Sequence, residues 1–183
     1  MSTYTPRLTS AGIAGSRWYE TQNPFYLGGW GMPNCTAYAF GRAWEIGDPN
    51  NTGANYPPLS TGNADSWYNH ADSWARGSTP KLGAIACYSG GDFSGDGHVC
   101  VVEEIDLVNQ RCRVSESAYN GYYFRSTHFI GYNGDYGYGN YTFQGFIYNP
   151  FAGDEPGPPG PTEGFDLWKF IELINKKKGT MIT

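Results

Sequence analysis

Charge is scarce in this chain: Asp, Glu, Lys and Arg make up 16% of its 183 residues, against roughly a quarter in an ordinary domain. The charge present sums to −5 at pH 7, with a pI near 5.1, so a broad electrostatic grip on nucleic-acid phosphates is not expected. No apolar run approaches the roughly 18 residues that a membrane-spanning helix needs, and membrane insertion is not expected either. The first residues, MSTYTPRLTSAG, have neither the basic start nor the apolar stretch of a secretory signal, so export by a leader of its own is not anticipated. The four cysteines, Cys35, Cys87, Cys100 and Cys112, include no CxxC pair, which argues against zinc knuckles, zinc ribbons and dithiol redox motifs. Without a leader all four are expected to be reduced thiols, and one of them needs a separate explanation.

Aromatic residues are abundant, at 17%. They can bury enough area to offset the entropy of ordering a chain that carries 26 glycines and 12 prolines. The length fits one domain with a short appendage, and no repeat is visible at a period of about 20 to 50 residues. The opening stretch, through NPFYLGGWGMP, has no helical period and reads as extended arm and loop. Pro33 and Asn34 then signal a helix start, and the helix runs about three turns to a stop at Gly47, placing Cys35 in its first turn. After a turn-rich loop, Trp67, Ala71 and Trp74 at i, i+4 and i+7 predict a second helix over about Asn63 to Arg76.

Beyond Gly77 and Pro80 the period changes to that of strands: GAIACY, GHVCVVEEI, RCRVSES, YYFRSTHFI and FQGFIYN are short runs bounded by turn residues. RCRVSES is expected to return antiparallel to GHVCVVEEI through a turn at Leu107 to Gln110. Helices first and strands later is an α+β order. The predicted organisation is a functional unit over 1–152, a Gly/Pro-rich linker over 153–164 and a short amphipathic basic segment over 165–183. That last segment carries a net +2 against −7 for the rest of the chain.

Cys35 is the sharpest chemical signal, because free backbone N–H groups and the positive dipole end at a helix start favour thiolate over thiol. A thiol nucleophile needs a base. Of the three histidines, His98 is best placed: it opens a strand after the flexible SGGDFSGDG loop, at a sheet edge from which its ring can reach a helix start. His70, within the expected second helix, reads as solvated or partly packed, and His128 as a satisfied core or surface residue. An imidazole base works best when a carboxylate accepts its other ring N–H. Glu116 meets that need from the neighbouring strand, whereas Glu103 and Glu104 read as solvated charges.

In order along the chain, GWGMPNCTAYAFGRAWEIG, GNA before the expected Trp-bearing helix, PKLGAIACY, GHVCVVEEI, VSES and FQGFIYNP resemble the CHAP family. These are the cysteine, histidine-dependent amidohydrolases and peptidases of cell-wall turnover and of phage lysins. The resemblance covers about Trp30 to Pro150. It implies a papain-like α+β fold, with N-terminal helices packed on an antiparallel β-sheet. It also implies that Cys35 attacks an amide carbonyl of peptidoglycan, with His98 as general base and then acid and Glu116 orienting the imidazole. Asn34 stands where many members have Gln, and is either an oxyanion donor or a helix N-cap. Trp30, Tyr119 and Asn120 join it as candidate substrate-binding residues.

Three departures from the family pattern stand out. Ala84 replaces an acidic residue. Asp92 and Asp96 are too few for a calcium site. Ala118 stands where relatives often have Asn two residues after the orienting Glu, with Asn120 two further on.

The reading is therefore a peptidoglycan hydrolase that cleaves an amide bond, either the muramoyl–alanine link or one in the stem or cross-bridge peptide. It needs no metal and no organic cofactor, and a monomer is expected. With no leader, it would be a phage endolysin made in the host cytoplasm and released to the wall by another factor, or carried on a virion. The rival reading is a non-catalytic wall-binding module whose aromatic loops (Trp30, Tyr119, Tyr122, Tyr136, Tyr138) stack on sugar or peptide. A zinc enzyme using His98 and Cys100 is a poor fit, because an i, i+2 pair lacks two further spaced ligands.

Overall fold

The segments of period 2 assemble into one six-stranded antiparallel sheet in the computed structural model, which describes residues 4–91 and 95–153. Apart from residue 153, the expected linker and the basic C-terminal segment lie outside these residues. The strands are β1 (Arg76–Gly77), β2 (Ile85–Gly90), β3 (His98–Asp106), β4 (Arg111–Glu116), β5 (Arg125–Gly131) and β6 (Tyr141–Ile147), in the order β1-β6-β2-β3-β4-β5. Side chains alternate across the sheet as strand geometry demands. Ile85, Cys87, Val99 and Val101 face a core that includes Phe25, Phe40, Trp44 and Trp67, while Ala86, Tyr88, Cys100, Val102 and Val114 face a second core closed by Tyr136. The first half of β3 is thus buried on both faces, a firm mount for the residue that opens it. β3 and β4 join through the turn at Leu107–Gln110.

Helix α2 (Cys35–Gly47) packs against this sheet and is buried along nearly its whole length. Asn34 caps it: its side-chain oxygen accepts from the backbone N–H of Thr36 at 3.0 Å and from the Thr36 hydroxyl at 2.8 Å. At Gly41 the chain before the helix comes so close that a Cβ would lie 2.5 Å from the Tyr19 ring and 2.8 Å from the Trp18 carbonyl oxygen. The opening residues are therefore more than an arm. They contain a π-helical turn at Arg17–Thr21 and the single-turn α1 (Pro24–Leu27), which seat Tyr19 and Phe25 in the core.

The expected second helix does not form. Only a 3-10 turn at Ala64–Ser66 appears within Asn63 to Arg76; Trp67 and Trp74 are buried, but Ala71 is exposed. Polar side chains compete with a helical ladder here. Asp72 accepts from the Trp74 N–H at 2.8 Å, and Arg76 donates to the carbonyls of Tyr68 at 2.6 Å, His70 at 2.7 Å and Trp74 at 2.8 Å. His70 accordingly lies in an exposed turn rather than on a helix.

Glu103 corrects a second expectation, for it is fully buried rather than solvated. It continues the helix-facing side of β3 and accepts hydrogen bonds from Arg42, Tyr4, the Arg7 backbone and Ser115, all between 2.6 and 3.0 Å. A third correction concerns β3, which is an interior strand of the sheet. His98 therefore sits at a strand end, not at a lateral sheet edge.

Candidate active site

The helix start and the strand start meet. Cys35, at the first position of α2, and His98, at the first position of β3, line one cleft of about 260 Å³. Gly97 sets the approach of His98. Its φ is +78°, and a Cβ there would lie 2.2 Å from the Tyr88 carbonyl oxygen and 2.6 Å from the Asp65 nitrogen, so a side chain would force the strand entry apart.

The imidazole is almost fully buried, and its Nε2–H donates to Oε2 of Glu116 at 2.7 Å. That bond leaves Nδ1 as the ring nitrogen for Cys35, which lines the same cleft. Burial alone would drive His98 towards its neutral form. The hydrogen bonds and negative charge of Cys35 and Glu116 outweigh burial and raise its pKa to about 9. A thiol, an imidazole and the carboxylate that orients it are thus brought to one cleft. The first backbone bond of α2 runs from the Tyr38 N–H to the Asn34 carbonyl at 2.9 Å. The Cys35 N–H precedes that ladder and is the natural donor to an oxyanion.

Glu116 is fully buried behind His98. Its Oε2 also accepts from the Tyr136 hydroxyl at 2.6 Å, and its Oε1 accepts from Arg125 Nε at 2.9 Å, Arg125 Nη2 at 2.5 Å and His128 Nδ1 at 2.9 Å. Burial opposes the carboxylate, but the hydrogen bonds from His128, His98 and Tyr136 win and hold Glu116 well below the usual carboxylate range. His128 is a satisfied, largely buried residue as expected, but one of its partners is Glu116; its second nitrogen meets the Tyr136 carbonyl at 3.0 Å.

Sequence reading missed these three partners for a geometric reason. Residues three apart point to opposite faces of a regular strand, so Arg125 and His128 carry no signal of convergence. The β4–β5 register shifts between Val114 and Glu116, so that Val114 pairs with His128 and Glu116 with Arg125, which lets both side chains reach one carboxylate. The one available hint was that Arg125 falls across the sheet from Glu116.

Trp30, Asn34 and Tyr119 line the same cleft, and the rings of Trp30 and Tyr119 lie 6.0 Å apart with each more than half exposed. The side-chain amide of Asn34 is engaged as the helix cap, and its nitrogen donates to the Trp30 carbonyl at 3.0 Å. Asn120 is not brought to the cleft: it occupies the third position of the turn Ala118–Gly121, exposed, with φ +54°. Tyr136, expected among the stacking aromatics, is buried on Glu116, while Tyr138 remains exposed. All four cysteines are unpaired, and Cys35 alone of them is not buried. Among the described residues no group of three or more His, Cys, Asp and Glu is placed to hold a metal ion, and no helix is long and apolar enough to cross a membrane.

Two solved structures are similar: one described as the crystal structure of Ly7917 with the hydrolyzing product of MDP (15% identity, TM-score 0.44), the other as the crystal structure of Ly7917 (17%, TM-score 0.42). The alignments cover 65% and 66% of this chain and 55% and 54% of those chains, so the match spans about half of their length. No curated protein matches. The CHAP domain model matches residues 25–118, just over half of the chain, and that stretch contains Cys35, His98 and Glu116; the chain belongs to the CHAP domain family.

Proposed function

We propose that the chain hydrolyses an amide bond of peptidoglycan through Cys35. The observation that carries this reading is the meeting of the Cys35 thiol, His98 and the buried Glu116 at a cleft flanked by exposed Trp30 and Tyr119. The Cys35 sulfur attacks the amide carbonyl carbon, and the resulting oxyanion is met by the Cys35 N–H. His98, protonated in the pair, gives its proton to the departing amine as the C–N bond breaks. Water then loses a proton to the neutral imidazole and attacks the thioester, expelling the Cys35 thiolate and so restoring the thiolate–imidazolium pair, while the carboxylic acid released gives its proton to solvent. Glu116 holds the ring orientation and balances its positive charge. Trp30 and Tyr119 offer faces on which a sugar ring or a peptide can stack.

Digestion of several purified peptidoglycans, with mass spectrometry of the released termini, tests this. New amino termini identify the bond as muramoyl–alanine or as one within the stem or cross-bridge. Cys35→Ala is expected to abolish release, while the other three cysteines are dispensable for the chemistry. The exposed Trp30–Tyr119 pair also suits a second reading, a wall-binding module without cleavage. Continued wall lysis by Cys35→Ala would remove the cysteine mechanism, and wall binding without any release by the wild-type chain would favour the module.

A further inference from the structure

Five hydrogen bonds from four side chains converge on Glu116, and only the one to His98 belongs to the proposed reaction. Both carboxylate oxygens face donors, so a protonated Glu116 would set its own O–H against one of them. The groups that face it are His98 and the Cys100 thiol from β3, Tyr88 from β2, Arg125 and His128 from β5, Tyr136 from the loop before β6, and Tyr122 from the segment after β4. Arg125 is the fixed positive charge among them. It is itself held in place, stacked over the Tyr122 ring at 4.4 Å and hydrogen-bonded to the Tyr138 hydroxyl. Tyr136 packs its ring edge-to-face against both imidazoles, 5.2 Å from His98 and 4.4 Å from His128. Asn120, the one nearby amide in sequence, is exposed within its own turn.

We propose that Arg125, His128 and Tyr136 are positioning residues for the hydrolysis: they keep the buried Glu116 anionic with Oε2 aimed at Nε2 of His98, and so fix Nδ1 towards Cys35. This rests on the reading of Cys35 and His98 as nucleophile and base. A buried ion pair contributes little net stability compared with apolar packing, so the specific effect of this one lies in the charge and aim of Glu116. Loss of a donor lets Glu116 take up a proton more readily as the pH falls. A neutral Glu116 no longer supports the imidazolium, and the reactive form of Cys35 is then lost at a higher pH than in the intact protein.

The test is the pH dependence of Cys35 alkylation by iodoacetamide, located by peptide mass mapping, together with kcat and KM on soluble muropeptides. Variants are Tyr136→Phe, Arg125→Lys, Arg125→Met, His128→Asn and His128→Leu, each checked for folding by thermal melting. Each loss of a donor is expected to lower kcat by roughly tenfold, and Arg125→Met by roughly a hundredfold, with KM unchanged. The acid limb of alkylation should move to higher pH in Tyr136→Phe and further in Arg125→Met. Arg125→Lys and His128→Asn, which each retain a donor, should recover part of the loss. A folded Arg125→Met or Tyr136→Phe with the wild-type alkylation profile and kcat overturns the proposal. Should Arg125→Met fail to fold, Tyr136→Phe, which loses a single hydroxyl, decides alone. Wild-type Cys35 alkylating with the profile of an ordinary thiol overturns both this proposal and the catalytic reading. An acid-extended wild-type profile shared by all variants overturns only the positioning role.

Discussion

A thiol and an imidazole act as a reactive pair over the pH range in which the imidazole stays charged, and here His98 carries a pKa of about 9. Hydrolysis is therefore expected to hold up to about pH 9 and to fall above it as His98 loses its proton. Stability follows the same sign. A histidine raised above its usual value near 6.5 contributes stability in full below that value, and the contribution is lost as pH rises through about 9. Glu116, held low, works in the other direction: its contribution is present above the ordinary carboxylate range and lost as the solution becomes strongly acidic. Glu116→Gln keeps an acceptor for the His98 ring but removes the charge. The alkaline limb of the rate profile should therefore move down, with a smaller loss of kcat than in Glu116→Ala; identical alkaline limbs in Glu116→Gln and wild type would assign the support of His98 to another group. Cys35, His98 and Glu116 were legible in the sequence because each sits at a point with its own local signal: a capped helix start, a strand start after glycines, and the return strand of a hairpin. Arg125, His128 and Tyr136 were not, because they converge only through a register shift and a loop, neither of which leaves a period in the sequence.

The elements that carry these residues differ in how far local chemistry fixes them. Helix α2 ends where its start and stop residues place it, from the Asn34 cap to Gly47. The segment over Asn63 to Arg76 has a helical spacing of Trp67 and Trp74, yet it folds as linked turns, because Arg76 gathers carbonyls that a helix would use. A hydrophobic period alone could not foresee that one guanidinium would outcompete a ladder. The Asn34 cap is where stability and catalysis can be separated. Asn34→Ala is expected to cost about 1 kcal/mol of stability by removing the acceptor for the Thr36 N–H. Asn34→Ser, which can still cap, should recover most of it. If kcat recovers along with the melting temperature, the side chain acts only as a cap; recovery of the melting temperature alone would show that the amide also meets the oxyanion.

The match to the CHAP domain begins at residue 25, yet the chain before it is wired into the sheet that carries His98. Tyr4 donates to Glu103 at 2.6 Å and to the Val102 carbonyl at 3.1 Å, and the Arg7 N–H donates to Glu103 at 2.8 Å. Arg42 of α2 reaches the Thr5 carbonyl at 2.6 Å, and Ser126 of β5 the Leu8 carbonyl at 2.8 Å. This strap therefore joins the helix that presents Cys35, the strand that presents His98 and the strand that presents Arg125. The sequence hid it, because an extended arm has no period and Glu103 lies in a strand whose neighbour, Glu104, is half exposed. Deleting residues 1–9 would leave Glu103 with Arg42 and Ser115 but without two of its donors. Hydrogen bonds to a buried charge are worth about 1.5–3 kcal/mol each, about 3–6 kcal/mol for the two, so the melting temperature should drop by roughly 6–24 °C. Arg42→Met, which removes the charge partner itself, should cost about 3–5 kcal/mol of stability. The strap's hydrogen bonds with Arg42, Glu45, Val102, Glu103 and Ser126 all go to residues that do not line the cleft, so at temperatures where the shortened chain stays folded its kcat on muropeptides should match wild type. A shortened chain that melts like wild type would show the arm to be an ornament of the surface. A loss of kcat in the folded state would instead mean that the strap sets the distance between Cys35 and His98.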